Sequence, residues 1–188
     1  MAYWNLQVFA NALLPLIDED IEKAKVSVQE VLDQFPKTFT KDYSAMMSHK
    51  FGLVNHSDDN RQLIDECMTM LVKNKVDYTN FFTELRRKGS LIHELKKDTA
   101  FDAWYSKWEK ARIVNASTAE SEKLMANNNP IVIPRNHLVE EALNAAVLGD
   151  MQPFHTLLEE IASPYDDTST PQNVPPHFDA SYQTFCGT

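Results

Sequence analysis

Glycine is scarce in this chain: four in 188 residues, at Gly52, Gly89, Gly149 and Gly187. So few argue against a β-rich fold, whose tight hairpin turns need residues at positive φ. They are also isolated, so the sequence holds no glycine-rich loop of the kind that cradles a phosphate. Cysteine is scarcer still. Cys67 and Cys186 make no disulfide framework. A basic excess is lacking, with a formal net charge of −9; this argues against nucleic acid as a partner, because such affinity comes from neutralising phosphates. No apolar run is long enough to span a bilayer. No basic region precedes the first apolar residues, as a secretory signal requires. These absences fit a protein of the reducing cytoplasm, with neither nucleic acid nor membrane as partner. Metal-ligand spacing is missing too. The histidines at 49, 56, 93, 137, 155 and 177 form no His-x-x-x-His pair, and His93-Glu94 lacks the second histidine of a zincin motif. Each reads as a surface or hydrogen-bonded histidine.

What is present is helical. Hydrophobic residues make up 43% and charged residues 24%, the balance of a folded globular chain. The length suffices for one compact domain. Trp4, Leu6, Phe9, Leu13, Leu16 and Ile17 open it with a helix-period stripe that no capping residue precedes. Asp18-Glu19-Asp20 starts a second helix, with its charge at the positive end of the dipole; Asp18-Glu19-Asp20 and Asp58-Asp59 lack the alternating oxygen ligands of a calcium loop. Ile21, Ala24, Val28, Val31, Leu32 and Phe35 follow, and Pro36 is expected to break the pattern. Thr40 is the expected cap of a third helix, with Tyr43, Met46 and Met47 inward and Gly52 at its end. Ser57 and Asp77 head two more. Their stripes are Leu63, Ile64, Cys67, Met68, Leu71 and then Tyr78, Phe81, Phe82, Leu85. Cys67 therefore reads as a small buried hydrophobe. Gly89-Ser90 is a break, and the cluster Arg86-Arg87-Lys88 with Lys96-Lys97 reads as a solvated helix end. From about Thr99, the set Phe101, Trp104, Tyr105 and Trp108 reads as core rather than a ligand platform. Ser117-Thr118-Ala119-Glu120 is a capping-box pattern.

The final hairpin has the clearest local logic. Pro130 and Pro134 forbid helix before it. Leu138, Val139, Ala142, Leu143, Ala146 and Val147 then form one stripe, which Gly149 terminates. Asp150 caps the next helix, Pro153 falls in its first turn, and Phe154, Leu157, Leu158 and Ile161 form its stripe. No segment alternates with period two. The fold expected is an all-α bundle of about eight helices over residues 1–165. Residues 166–188 turn polar and form an extended or mobile tail unless they dock on something. Two places stand out chemically. Arg135 and Asn136 lie at the mouth of the hairpin, where an arginine fork and an asparagine amide satisfy loop carbonyls; a place beside a cleft is the alternative. Cys186 sits in the polar tail, either as an exchangeable exposed thiol or as an inert terminal one.

The wording of several stretches is specific. Asn129-Pro130, then Pro134-Arg135-Asn136-His137-Leu138, Glu141-Ala142-Leu143, Gly149-Asp150 and Pro164-Tyr165-Asp166-Asp167 resembles the C-terminal signature of the selenoprotein O family. Trp4-Asn5-Leu6 through Ile17 and Asp77-Tyr78-Thr79-Asn80-Phe81-Phe82 resemble further family motifs, in the same order. The resemblance runs from Trp4 to Thr188. It implies a protein adenylyltransferase with a kinase-like (pseudokinase) fold, in which Mg-ATP donates AMP to protein hydroxyls. It also implies that this chain is a late C-terminal-lobe portion whose parent carries the ATP and Mg2+ sites upstream. No catalytic, cofactor-binding or metal residue is then expected in these 188 residues. The expected partner is the N-terminal kinase-like portion, with self-association through the first helix as a further possibility. Cys186 stands third from the end, where eukaryotic relatives carry selenocysteine, which favours a redox-capable tail. The competing reading is a free-standing all-α domain that binds a partner through its first helix.

Overall fold

A computed structural model describes residues 1–114 and 116–175. Among them the regular structure is all α-helix, with no strand, in line with the expected class. The helices are α1 (Ala2–Ile17), α2 (Ile21–Leu32), α3 (Phe35–Lys50), α4 (Asp58–Lys73), α5 (Tyr78–Arg87), α6 (Ser90–Leu95), α7 (Thr99–Ala111), α8 (Thr118–Asn128), α9 (Asn136–Val147) and α10 (Gln152–Ile161). They divide into two compact units, Met1–Met47 and Ser48 onward. No helix among the described residues is long and apolar enough to cross a membrane.

In the first unit α1 packs on α2, and Leu14, Ala24 and Leu32 are buried. Asp20 caps α2, its Oδ1 accepting from the backbone N–H groups of Glu22 and Lys23. Pro36 does not act as a breaker. It lies in the first turn of α3, where its missing N–H would have no partner anyway. Thr40 consequently falls inside α3 and caps nothing; its Oγ1 donates to the Pro36 carbonyl at 2.8 Å. Tyr43 and Met46 are exposed, contrary to the expected inward face, and only Met47 of that trio is buried. Phe35, Phe39 and Tyr43 instead run as a ladder of rings along the helix, with centroids 5.8 and 5.9 Å apart.

The second unit has an aromatic core. Phe51, Phe81, Phe82, Phe101, Trp104 and Trp108 are almost fully buried, so the α7 aromatic set is core as expected. Each indole N–H finds a carbonyl: Trp104 donates to Leu63 at 2.8 Å and Trp108 to Phe51 at 2.9 Å. Cys67 is buried among the same helices, and burial pushes its thiol pKa up. Gly52 adopts φ +70 where a Cβ would lie 2.4 Å from Ser121 Oγ, so only glycine lets α8 approach here. The Ser117 capping box is formed in full.

The break at Gly89 hides a short helix. Lys88 takes the left-handed conformation at the end of α5, and Glu84 Oε2 accepts from the Leu91 N–H at the start of α6. At the hairpin, Gly149 has φ +89, and two bonds close a Schellman motif: Gly149 N–H to Ala146 O and Asp150 N–H to Ala145 O, both 3.0 Å. The expected stripes of this hairpin are only partly covered. Ala142 is buried, but Leu143, Phe154 and Leu158 are exposed, and Val147 and Leu148 are 86% exposed.

Candidate functional site

Asp77 is the residue around which the second unit's polar interior is arranged. As N-cap of α5, its Oδ1 accepts from the Asn80 N–H at 2.8 Å. The same carboxylate receives the fork of Arg135, Nη1 to Oδ2 at 2.6 Å and Nη2 to Oδ1 at 2.9 Å. Arg135 Nη2 also reaches Asn80 Oδ1 at 3.1 Å. Arg135 precedes α9, so this fork fastens the foot of the hairpin to the start of α5. Burial pushes the Asp77 carboxyl up, but the hydrogen bonds and charge of Arg135, with the backbone N–H of Asn80 and Thr79, outweigh it and hold its pKa below the usual carboxylate value.

Asn80 extends the network outward. Its Nδ2 donates to the Gln172 carbonyl at 3.2 Å and to Asn173 Oδ1 at 3.0 Å. Nearly two turns further along α5, Arg86 makes a bidentate pair with Asp167, and Arg87 donates to the carbonyls of Asp167 at 2.6 Å and Ser169 at 3.3 Å. The Arg86 side chain is only 14% exposed. These two arginines therefore grip the polar segment after α10 and are not a solvated helix end. Lys88, Lys96 and Lys97 do fit that description, in surface pairs of small energetic weight. On the other side of α5, Lys50 Nζ donates to Asn128 O and Asn129 Oδ1, both at 3.0 Å. It lies 4.9 Å from the Phe82 ring centroid. Asn129 Nδ2 returns bonds to the carbonyls of Lys50 and Met125, both 2.8 Å. The Ile131 N–H reaches the Pro164 carbonyl at 2.7 Å.

Chemically this network, a hub centred on Asp77, is a set of paired groups. Asp77, Asn80, Arg86, Arg87, Arg135 and Asn129 all hold one another or the backbone. Among the described residues there is no group of three or more His, Cys, Asp and Glu placed to hold a metal ion.

Residues 1–162 match the model of the family described as Protein adenylyltransferase SelO. The chain belongs to that family. Its relatives include proteins named "Protein nucleotidyltransferase YdiU". The one from Clostridium botulinum (strain Alaska E43 / Type E3) is 36% identical over 190 residues, covering 98% of this chain and 39% of the relative. That of Pelagibacter ubique is 37% identical over 189 residues, with 98% and 39% covered. That of Mycobacterium sp. (strain KMS) is 39% identical over 197 residues, with 100% and 40% covered. This SelO-family chain thus spans about two fifths of the length of these relatives.

The motifs that carry the family resemblance turn out to be neighbours. Asp77 and Asn80 meet Arg135; Asn129 meets Lys50 beside Tyr78 and Phe82; Pro164 meets Ile131; Asp167 meets Arg86. Asn136, by contrast, is exposed as the first residue of α9 and takes no part in the hub. Trp4, Asn5 and Leu6 belong to the first unit. Cys186 lies outside the described residues. Reasoning from sequence singled out Arg135 but missed its partners, as well as Arg86, Arg87 and Asp167. The signal was available in part: Asp77 and Asn80 belong to one family motif and Arg135 to another.

Proposed function

We propose that this chain is the helical scaffold portion of a protein adenylyltransferase with a kinase-like fold. The whole protein would transfer AMP from Mg-ATP to hydroxyl side chains of other proteins in the cytoplasm. The nucleotide and metal sites would lie in parts of the protein outside these 188 residues, and the tail with Cys186 would supply a redox-capable thiol. The observation that carries the scaffold role is the hub: the family motifs of the second unit are spent on holding Lys50, α5, α8, α9 and the segment after α10 together. Supporting it are the coverage of about two fifths of the relatives and the lack of any glycine-rich phosphate loop in the sequence.

A second reading is favoured by the first unit. Trp4, Phe9 and Leu16 of α1 are exposed, and α1 and α2 form an apolar groove of about 330 Å³ lined by Leu6, Phe9, Leu13 and Val31. Such a face suits a partner or a second copy. Calorimetry of Mg-ATP with the 188-residue chain, together with transfer of labelled AMP, tests the main proposal. No heat at millimolar nucleotide and no transfer is the expected result. A Kd tighter than about 1 mM, or any transfer, would overturn it.

A further inference from the structure

The segment after α10 is seated in an unusual way. Its residues 167–173 are held almost wholly through polar groups: Asp167 by Arg86 and Arg87, the Ser169 carbonyl by Arg87, and Gln172 and Asn173 by Asn80. Gln172 Nε2 adds a bond to Glu160 of α10 at 2.6 Å. Three backbone carbonyls, those of Asp167, Ser169 and Gln172, accept from side chains of α5 and none of these from a strand or helix partner. No residue of this stretch is fully buried. It also stands between two hollows. One of about 710 Å³ has Asp77, Asn80 and Glu94 in its wall; the other, of about 520 Å³, has His137 and Glu160; Asn173 borders both.

We propose that residues 167–173 are a peptide ligand bound in cis, and that the groove beneath them, formed by α5, α6, α9 and α10, is a peptide-binding site. Its ligand is a segment that opens on a turn, presents a carboxylate to Arg86 and Arg87, and then offers Asn80 a backbone carbonyl five residues on and an amide side chain six residues on. The main-chain carbonyls are read by side-chain donors, so the segment is held without strand pairing. Because the seat is ionic and amide-based rather than apolar, the segment can leave without exposing a core, and its hold weakens as salt screens the arginines. Release would join the two hollows into one groove with Asp77 and Asn80 in its wall on one side and His137 and Glu160 on the other.

The test uses the 188-residue chain and a fluorescein-labelled peptide of residues 164–175. In the variant Asp167→Ala/Gln172→Ala/Asn173→Ala the cis ligand is weakened while the groove is untouched. The peptide should bind this variant about tenfold or more tightly than the parent chain, and adding Arg86→Ala and Arg87→Ala should lose about tenfold, as expected for charge-assisted hydrogen bonds. Amide exchange across α5 reports whether each variant keeps its fold. Should the arginine variant unfold, raising salt to about 0.5 M on the triple variant makes the same measurement without substitution, and binding should fall about tenfold. Absence of saturable binding to the triple variant, or binding indifferent to both the arginines and salt, would overturn the proposal.

Discussion

Arg135→Ala removes a whole fork at once. Asp77 Oδ2 and Oδ1 lose donors at 2.6 and 2.9 Å, and Asn80 Oδ1 loses one at 3.1 Å. Stripping one partner from a fully buried pair costs about 3–5 kcal/mol, since an uncompensated charge remains. Asp77 is only half-buried and keeps the Asn80 N–H, so water and the cap offset part of the loss. The expected cost is about 2–3 kcal/mol, near the upper range for hydrogen bonds to charged groups. Urea unfolding followed by tryptophan fluorescence reads it directly, because Trp104 and Trp108 are buried in the same unit as Arg135. A Trp4→Phe background removes the exposed reporter of the first unit. With a slope of about 2 kcal/mol per molar urea, the midpoint should drop by about 1 M. Arg135→Lys should recover less than half of this, because an ammonium cannot place two parallel donors on one carboxylate. A midpoint change under about 0.2 M for the alanine variant, or a lysine variant that matches the parent, would refute the hub as the fastening of the hairpin.

Two further predictions use the same unit. Gly52→Ala should cost about 2 kcal/mol or more, combining a left-handed backbone with a Cβ 2.4 Å from Ser121 Oγ; Gly149→Ala, at φ +89 with nothing within 4 Å, should cost only about 1 kcal/mol, and thermal melts of the pair separate strain from clash. Acid should weaken the hub: the Asp77 pKa is lowered in the folded state, so its contribution is complete above the ordinary aspartate value and is lost as pH falls through the folded one. The stability gap between the parent and Asp77→Asn should therefore narrow below about pH 4, and a gap that widens there would contradict the pairing.

The elements set by local physics are legible in the sequence. Ser57, Asp77 and Ser117 cap the helices they were expected to cap, and Gly52 and Gly149 sit at positive φ where the chain reverses. The α7 aromatics are core because their spacing puts them on one face of a helix that lies over α4. Pro36 was misjudged because proline is equally compatible with ending one helix and opening the next. The six-residue α6 was missed because it is too short for a periodic signal, and its first turn is held by Glu84, seven residues before Leu91. Arg86 and Asp167 are 81 residues apart. Nothing local distinguishes arginines that will grip a distant carboxylate from arginines that will be solvated.

The hairpin shows the same limit on a larger scale, and it also shows what the hub is for. An apolar stripe reveals that a helix has a face; it does not reveal what covers it. Along α9 the cover runs out: His137 and Ala142 are buried, Leu143 is half open, and Val147 and Leu148 are bare. Burial of apolar area therefore anchors the foot of the hairpin but contributes little at its tip. What fixes the orientation at the foot is directional rather than hydrophobic. The Arg135 fork allows one geometry against Asp77, and Asp77 is itself immobilised as the cap of α5. Removing Arg135 would leave Asp77 half-buried, and removing Asp77 would leave Arg135 buried, without a charge partner. Asp77, Asn80 and Arg135 are thus one physical object spread over two family motifs, and a helix pair with a poorly covered face can still be held at a defined angle to the core.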